Sequence, residues 1–173
     1  MLQILFSTSA WAGAVNDAVV YGDVAALEQA LAAGGSANEI VDERPALARA
    51  IERACNVNND SPQRHVFDAL LKAGAYGGAQ VRSEPLLFQA IRGSCVGLIA
   101  PLIASGANPN AAFDSYGTPL EAAIAVDNVN IVDLLLTQGA DPKRVINASS
   151  AVEYARSTGA DPAIIDRIEK ASR

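Results

Sequence analysis

Apolar positions along this chain fall on one helical face, and that face returns five times. Val15, Leu47, Leu87, Leu120 and Val152 stand in one column, and three residues after each comes an alanine: Ala18, Ala50, Ala90, Ala123 and Ala155. One residue further come Val19, Ile51, Ile91 and Ile124. An i, i+3, i+4 apolar set is one face of an α-helix. A small residue repeated at one place predicts that a neighbouring helix comes close there. Further on, Leu- and Ala-rich runs end at Gly34, Gly74, Gly106 and Gly139, which lie 40, 32 and 33 residues apart. Glycine at such a stop takes the left-handed conformation that ends a helix. Each period therefore predicts two helices, a glycine stop and an extended connection of roughly ten residues, the pattern of a helical repeat.

The second period is the long one. It predicts about eight extra residues between its two helices, near Cys55 to Gln63, and long loops of this kind are themselves candidates for function. Helix starts repeat as well. Thr118-Pro-Leu-Glu121 and Ser150-Ala-Val-Glu153 have the form of capping boxes. Pro45, Pro85 and Pro119 are expected in a first helical turn, where a missing N–H costs nothing. Asp161-Pro162 is expected to start a final helix whose charged residues close the array.

Composition narrows the partners. The 173 residues carry a formal charge of −6, half are hydrophobic and only 5% are aromatic. An acidic chain is a poor match to nucleic acid, which needs clustered Lys and Arg. No apolar run approaches ~18 residues, so no membrane span is expected. Met1 to Ala12 is apolar and ends in Ala10-Trp11-Ala12, which resembles the cleavage end of a secretory signal without its basic leading region. The alternative for this segment is a cap on the first repeat. The reading adopted is a periplasmic or secreted protein rather than a cytoplasmic one.

Gly106-Ala-Asn-Pro-Asn110 resembles the Gly-Ala-Asp-x-Asn turn of the ankyrin repeat. Asp114-Ser-Tyr-Gly-Thr-Pro-Leu120 is similar to that family's hairpin and helix start, and Asn130 to Asp141 is similar to its second helix and closing turn. The likeness is sharpest there, weakens outward and covers nearly the whole chain from about Trp11. There are departures. The family's His after Thr-Pro-Leu is Glu121, the Gly-His turn is replaced by Asp127-Asn128, and repeats one, two and five lack Thr-Pro-Leu. The resemblance implies an all-α solenoid of helix–turn–helix units joined by hairpin-like loops, bacterial in type. An apolar segment 1–12 would precede a domain 13–173, with repeats near 13–43, 44–82, 83–115, 116–148 and 149–173. It also implies a concave face of inner helices and hairpin tips that binds other proteins, with no chemistry and no cofactor of its own.

Chemical motifs are sparse. His65 and Asp68 form an i, i+3 pair with no further ligand in sequence reach, and read as a surface pair. Asn56-Val-Asn-Asn-Asp60 has alternating oxygen ligands, but a calcium loop needs a Gly at the sixth position and a Glu at the twelfth; Ser61 and Phe67 stand there. Asn59-Asp-Ser61 and Asn147-Ala-Ser149 match the glycosylation tripeptide, which matters only in a eukaryotic secretory pathway. Cys55 and Cys95 each lie eight residues after their apolar column, at the same end of equivalent helices. Helix axes about 8–10 Å apart exceed the Cα spacing of about 4.4–6.8 Å that a disulfide wants, though the insertion starts at Cys55 and can shorten the gap. A disulfide and two separate buried thiols are both open.

The tips carry the functional expectation. Asp42, Glu43, Arg44, Gln80, Arg82, Phe113, Asp114 and Tyr116 are the candidate partner-binding residues, with Glu39, Glu84, Lys143 and Arg144 beside them. Exposed aromatics and Arg are common binding anchors. For Phe113 and Tyr116 the competing reading is packing on their own hairpin. The expected protein is a monomeric module that binds and modulates another protein. The alternative is a module that assembles with copies of itself.

Overall fold

The computed structural model describes residues 13–113, 117–145 and 149–173, which form ten α-helices in five helix–turn–helix pairs, with two short β-hairpins. The fold is all-α, as the periodicity predicts. The segment 1–12, where the signal-like reading falls, lies outside the described residues. The chain divides into two compact units, residues 1–75 and 76–173.

In the first unit, α1 (Ala14–Tyr21) pairs with α2 (Val24–Ala32). The hairpin of β1 (Ile40–Val41) and β2 (Arg44–Pro45) leads into α3 (Ala46–Ala54) and α4 (Pro62–Lys72). α1 packs on α3 and α2 on α4, around Val15, Leu27, Leu47, Ile51, Phe67 and Leu70. The insertion is the loop between α3 and α4; Asn56, with φ 62, turns the chain out of α3, and Ser61 caps α4 by accepting from the Arg64 N–H. Asp68 pairs with Arg64 at 3.0 Å, and His65 is exposed.

The second unit opens with the hairpin of β3 (Gln80–Val81) and β4 (Glu84–Pro85). Then follow α5 (Leu86–Arg92), α6 (Val96–Ala104), α7 (Pro119–Ala125), α8 (Val129–Thr137), α9 (Ala151–Thr158) and α10 (Pro162–Ala171). First helices pack on first helices (α5 on α7, α7 on α9), and second on second (α6 on α8, α8 on α10).

The alanine column does what the pattern predicts. Ala18, Ala50, Ala90, Ala123 and Ala155 are all buried, two of them in the first unit and three in the second. The four closing glycines have φ between 88° and 104°, a region costly for any residue with a Cβ. Four residues after two of them, asparagine side chains tie one connection to the next. Asn38 Nδ2 donates to the Gly74 carbonyl at 3.0 Å. Asn110 Nδ2 donates to the Gly139 carbonyl at 2.9 Å, and its Oδ1 accepts from the Asp141 N–H at 2.7 Å.

Helix starts follow two patterns. Both capping boxes form, at Thr118–Glu121 and Ser150–Glu153, and Asp161 caps α10. The prolines differ from expectation. Pro119 is the first helical residue, but Pro45 and Pro85 sit one place earlier, at the N-cap, with extended ψ near 140°. The reason is strand pairing: each is also the last residue of its hairpin, opposite Ile40 or Gln80. Where the family's Gly-His turn is missing, Asp127 takes φ 51 and Asn128 caps α8 through the Ile131 N–H. Asp127 Oδ1 also accepts from the Asp161 N–H at 2.9 Å, joining two successive turns.

Candidate functional site

The tips are built by strand registers that leave two residues to turn the chain. In the first unit Val41 pairs with Arg44, so Asp42 and Glu43 form the turn, with φ 52 and 60. In the second unit Val81 pairs with Glu84, so Arg82 and Ser83 form it, with φ 48 and 69. Two successive left-handed residues are the geometry that suits the twist of a hairpin, and Asn, Asp and Gly are its usual occupants. Of the four turn residues only Asp42 is one of these. All four turn side chains are exposed.

The remaining candidate residues do different things. Arg44 sits at the base of its hairpin and forms an ion pair with Glu52. Glu84, at the matching position of the second hairpin, pairs with Arg92 at 2.9 Å. Gln80 is exposed on β3. Phe113 is half-buried, and its ring meets Phe88 edge-on, with centroids 5.5 Å apart and planes at 61°. Phe113 forms an isolated antiparallel bridge with Gly117. Asp114 and Tyr116 lie outside the described residues. Lys143 and Arg144 are exposed next to Val145, itself 62% exposed. Glu39 turns inward rather than outward. Its carboxylate accepts from the Gly13 N–H at 2.7 Å and the Asn16 N–H at 2.8 Å, and so caps α1 from more than twenty residues away. A carboxylate is favourable at a helix N-terminus, where free N–H groups and the helix dipole meet.

Three exposed apolar side chains join the candidates that sequence reasoning identified: Ile40 on β1, Tyr21 at the end of α1, and Tyr76 at the start of the second unit. Tyr21 is 82% exposed, beside the Gly22 stop. A large aromatic just before a helix-ending glycine, in a chain with four tyrosines, was the signal available for it. Among the described residues, no three His, Cys, Asp or Glu side chains gather where a metal ion would sit, and no helix is long and apolar enough to cross a membrane.

Cys55, the C-cap of α3, and Cys95, the N-cap of α6, are disulfide-bonded. Of the two readings open from sequence, the bonded one holds.

Residues 117–148 match the family model of the ankyrin repeat. A stretch of 65 residues is 40% identical to the 2-5A-dependent ribonuclease of Mus musculus, covering 37% of this chain and 9% of that protein. The similarity thus spans less than a tenth of the relative's length, and what that enzyme's name says of its activity is said of it alone. The matched motif, the helix–turn–helix pairs and the glycine-closed turns converge on the ankyrin-repeat fold, with the repeat itself matched at residues 117–148.

Proposed function

We propose that the chain is a non-catalytic module that binds and modulates a partner protein through its hairpin tips and the exposed side of its inner helices. The observation that carries this reading is the composition of the two tips. Each holds two side-chain-bearing residues in a left-handed conformation that glycine adopts freely. Backbone strain of this kind is worth a look for function. Here it places Asp42 and Glu43 at one tip and Arg82 and Ser83 at the other, all projecting to solvent. A partner surface met by the first tip would present basic groups, and one met by the second would present acidic groups.

Export to the periplasm or outside the cell goes with this reading. The Cys55–Cys95 disulfide supports an oxidising compartment, since such bonds persist there and are rare in the cytosol.

Glycine at the tips tests the proposal, because it relaxes the turn while deleting the side chains. The Asp42→Gly/Glu43→Gly and Arg82→Gly/Ser83→Gly proteins are expected to melt at or above the parent's temperature. In crosslinked recovery from the native source they are expected to lose the partner that the parent enriches. Recovery of that same partner at parental yield by both variants would remove the tips from the interface.

A further inference from the structure

Gly78 stands four residues after a closing glycine, the place that Asn110 fills in the next connection of the same unit. The Asn110 carboxamide there satisfies a backbone acceptor and a backbone donor at once, the Gly139 carbonyl and the Asp141 N–H. The matching pair facing Gly78 is the Gly106 carbonyl and the Asn108 N–H. Neither has a hydrogen-bond partner among the described residues. The Tyr76-Gly77-Gly78 turn is held close by a different bond, from the Gly77 N–H to the Ser105 carbonyl at 2.9 Å. A Cβ on Gly77 would stand 2.3 Å from the Leu102 carbonyl oxygen, so only glycine allows this approach.

Beside this turn lies a cleft of about 240 Å³, lined among others by Tyr76, Gln80, Leu87, Gly106 and Asn108. The Tyr76 ring forms one wall. It lies over both glycines: a Cβ on Gly78 would be 2.5 Å from its Cζ, and one on Gly106 would be 2.6 Å from its Cε2. The ring is 55% exposed.

From this we infer that the cleft receives a primary carboxamide, the side chain of an asparagine or glutamine of a partner protein. The amide NH₂ donates to the Gly106 carbonyl, its oxygen accepts from the Asn108 N–H, and its plane lies against the Tyr76 ring. The neighbouring connection supplies the template, since Asn110 makes the same two bonds from within the chain. A carboxylate fits less well, because it has no donor for the carbonyl and meets a chain of net negative charge. The inference deepens the partner-binding reading by naming the group recognised.

The test uses the full ¹⁵N-labelled chain and a small probe, N-acetyl-asparagine methylamide, with the aspartate analogue as control. The asparagine probe is expected to shift the Asn108 amide resonance downfield in a saturable way, and the aspartate probe is not. Gly78→Asn supplies the carboxamide internally, so its Asn108 resonance is expected to be shifted already and to ignore the probe. That variant requires Tyr76 to swing aside and the Gly106 carbonyl, 2.8 Å from the new Cβ, to give way. Tyr76→Ala removes the ring that walls the cleft and serves as the second variant, with the probe's apparent affinity falling about threefold or more. An unmoved Asn108 resonance in the parent, an equal response to the aspartate probe, or an undiminished response in Tyr76→Ala would overturn the inference. The titration needs no partner protein, so its failure is separate from failure of the tip experiment.

Discussion

Two kinds of junction turn a hairpin into a helix in this chain. At α3 and α5 a proline is the N-cap, and no side chain reaches back to the first free N–H groups. Those junctions are held by two-residue strand pairing and by an ion pair across eight residues. The pair is Arg44–Glu52 in one unit and Glu84–Arg92 in the other, with the charges exchanged. At α7 the junction is a capping box. The Glu121 N–H donates to the Thr118 hydroxyl at 3.2 Å, and the Thr118 N–H donates to the Glu121 carboxylate at 2.5 Å; both residues are buried. The comparison teaches that the repeat demands a junction geometry rather than a residue set. One solution is buried and depends on fit. The other is exposed and electrostatic, and it survives reversal of its charges. The first should therefore be brittle and the second tolerant.

The largest expected effect is at Gly117. It has φ 71, and a Cβ there would stand 2.0 Å from Glu121 Oε2. Gly117→Ala must either displace the carboxylate from the Thr118 N–H or distort the turn. A loss of about 2–3 kcal/mol is expected, from strain at positive φ together with a buried group deprived of its hydrogen bond. Urea unfolding measures it. A loss below about 1 kcal/mol would mean that the buried junction is no more demanding than the exposed ones.

The same contrast explains what could be read from sequence. The family model matches residues 117–148, where Gly117, Thr118 and Pro119 spell out the buried solution. The alanine column, the glycine stops, the insertion and both capping boxes were legible, because each depends on residues close in sequence. Pro45 and Pro85 were misplaced by one residue, because only strand pairing decides whether such a proline ends the hairpin or begins the helix. The left-handed tips left little trace, since of Asp42, Glu43, Arg82 and Ser83 only Asp42 is a residue often found at positive φ. Glu39 read as a tip charge because its partners, Gly13 and Asn16, lie more than twenty residues away along the chain. Tyr76 was missed because the signal lies in what faces it, Gly78 and Gly106, rather than in the tyrosine itself. Phe113 was selected as a rare aromatic, and its Phe88 neighbour is a contact between residues distant in sequence.

The exposed junction gives a smaller effect. Arg44 and Glu52 are 33% and 50% exposed, so their pair is worth at most about 1 kcal/mol. Arg44→Glu alone and Glu52→Arg alone should each cost roughly 0.5–1 kcal/mol, since each sets like charges together. The double exchange should recover most of that, reproducing in the first unit the polarity that Glu84 and Arg92 have in the second. A double-mutant cycle reads this coupling directly. If the double variant is as unstable as the sum of the singles, the ion pair is not what holds the junction.

The smallest effect separates the two capping boxes from each other. Ser150–Glu153 repeats the Thr118–Glu121 arrangement on an exposed surface. The Glu153 carboxyl is held below its ordinary value of 4.5. The main cause is the hydrogen bond from the Ser150 N–H, followed by that from the Ser150 hydroxyl. A carboxyl whose folded pKa is depressed stabilises the fold above its unfolded pKa, and that contribution is lost as pH falls through the folded value. The parent should therefore be more stable than Glu153→Gln near neutral pH. The gap should begin to close below about 4.5 and vanish once the folded carboxyl is protonated. Melting temperatures of the two proteins across that range decide it. A gap that stays constant with pH would show that the side chain acts through its shape rather than its charge, and the exposed box would then belong with the buried one.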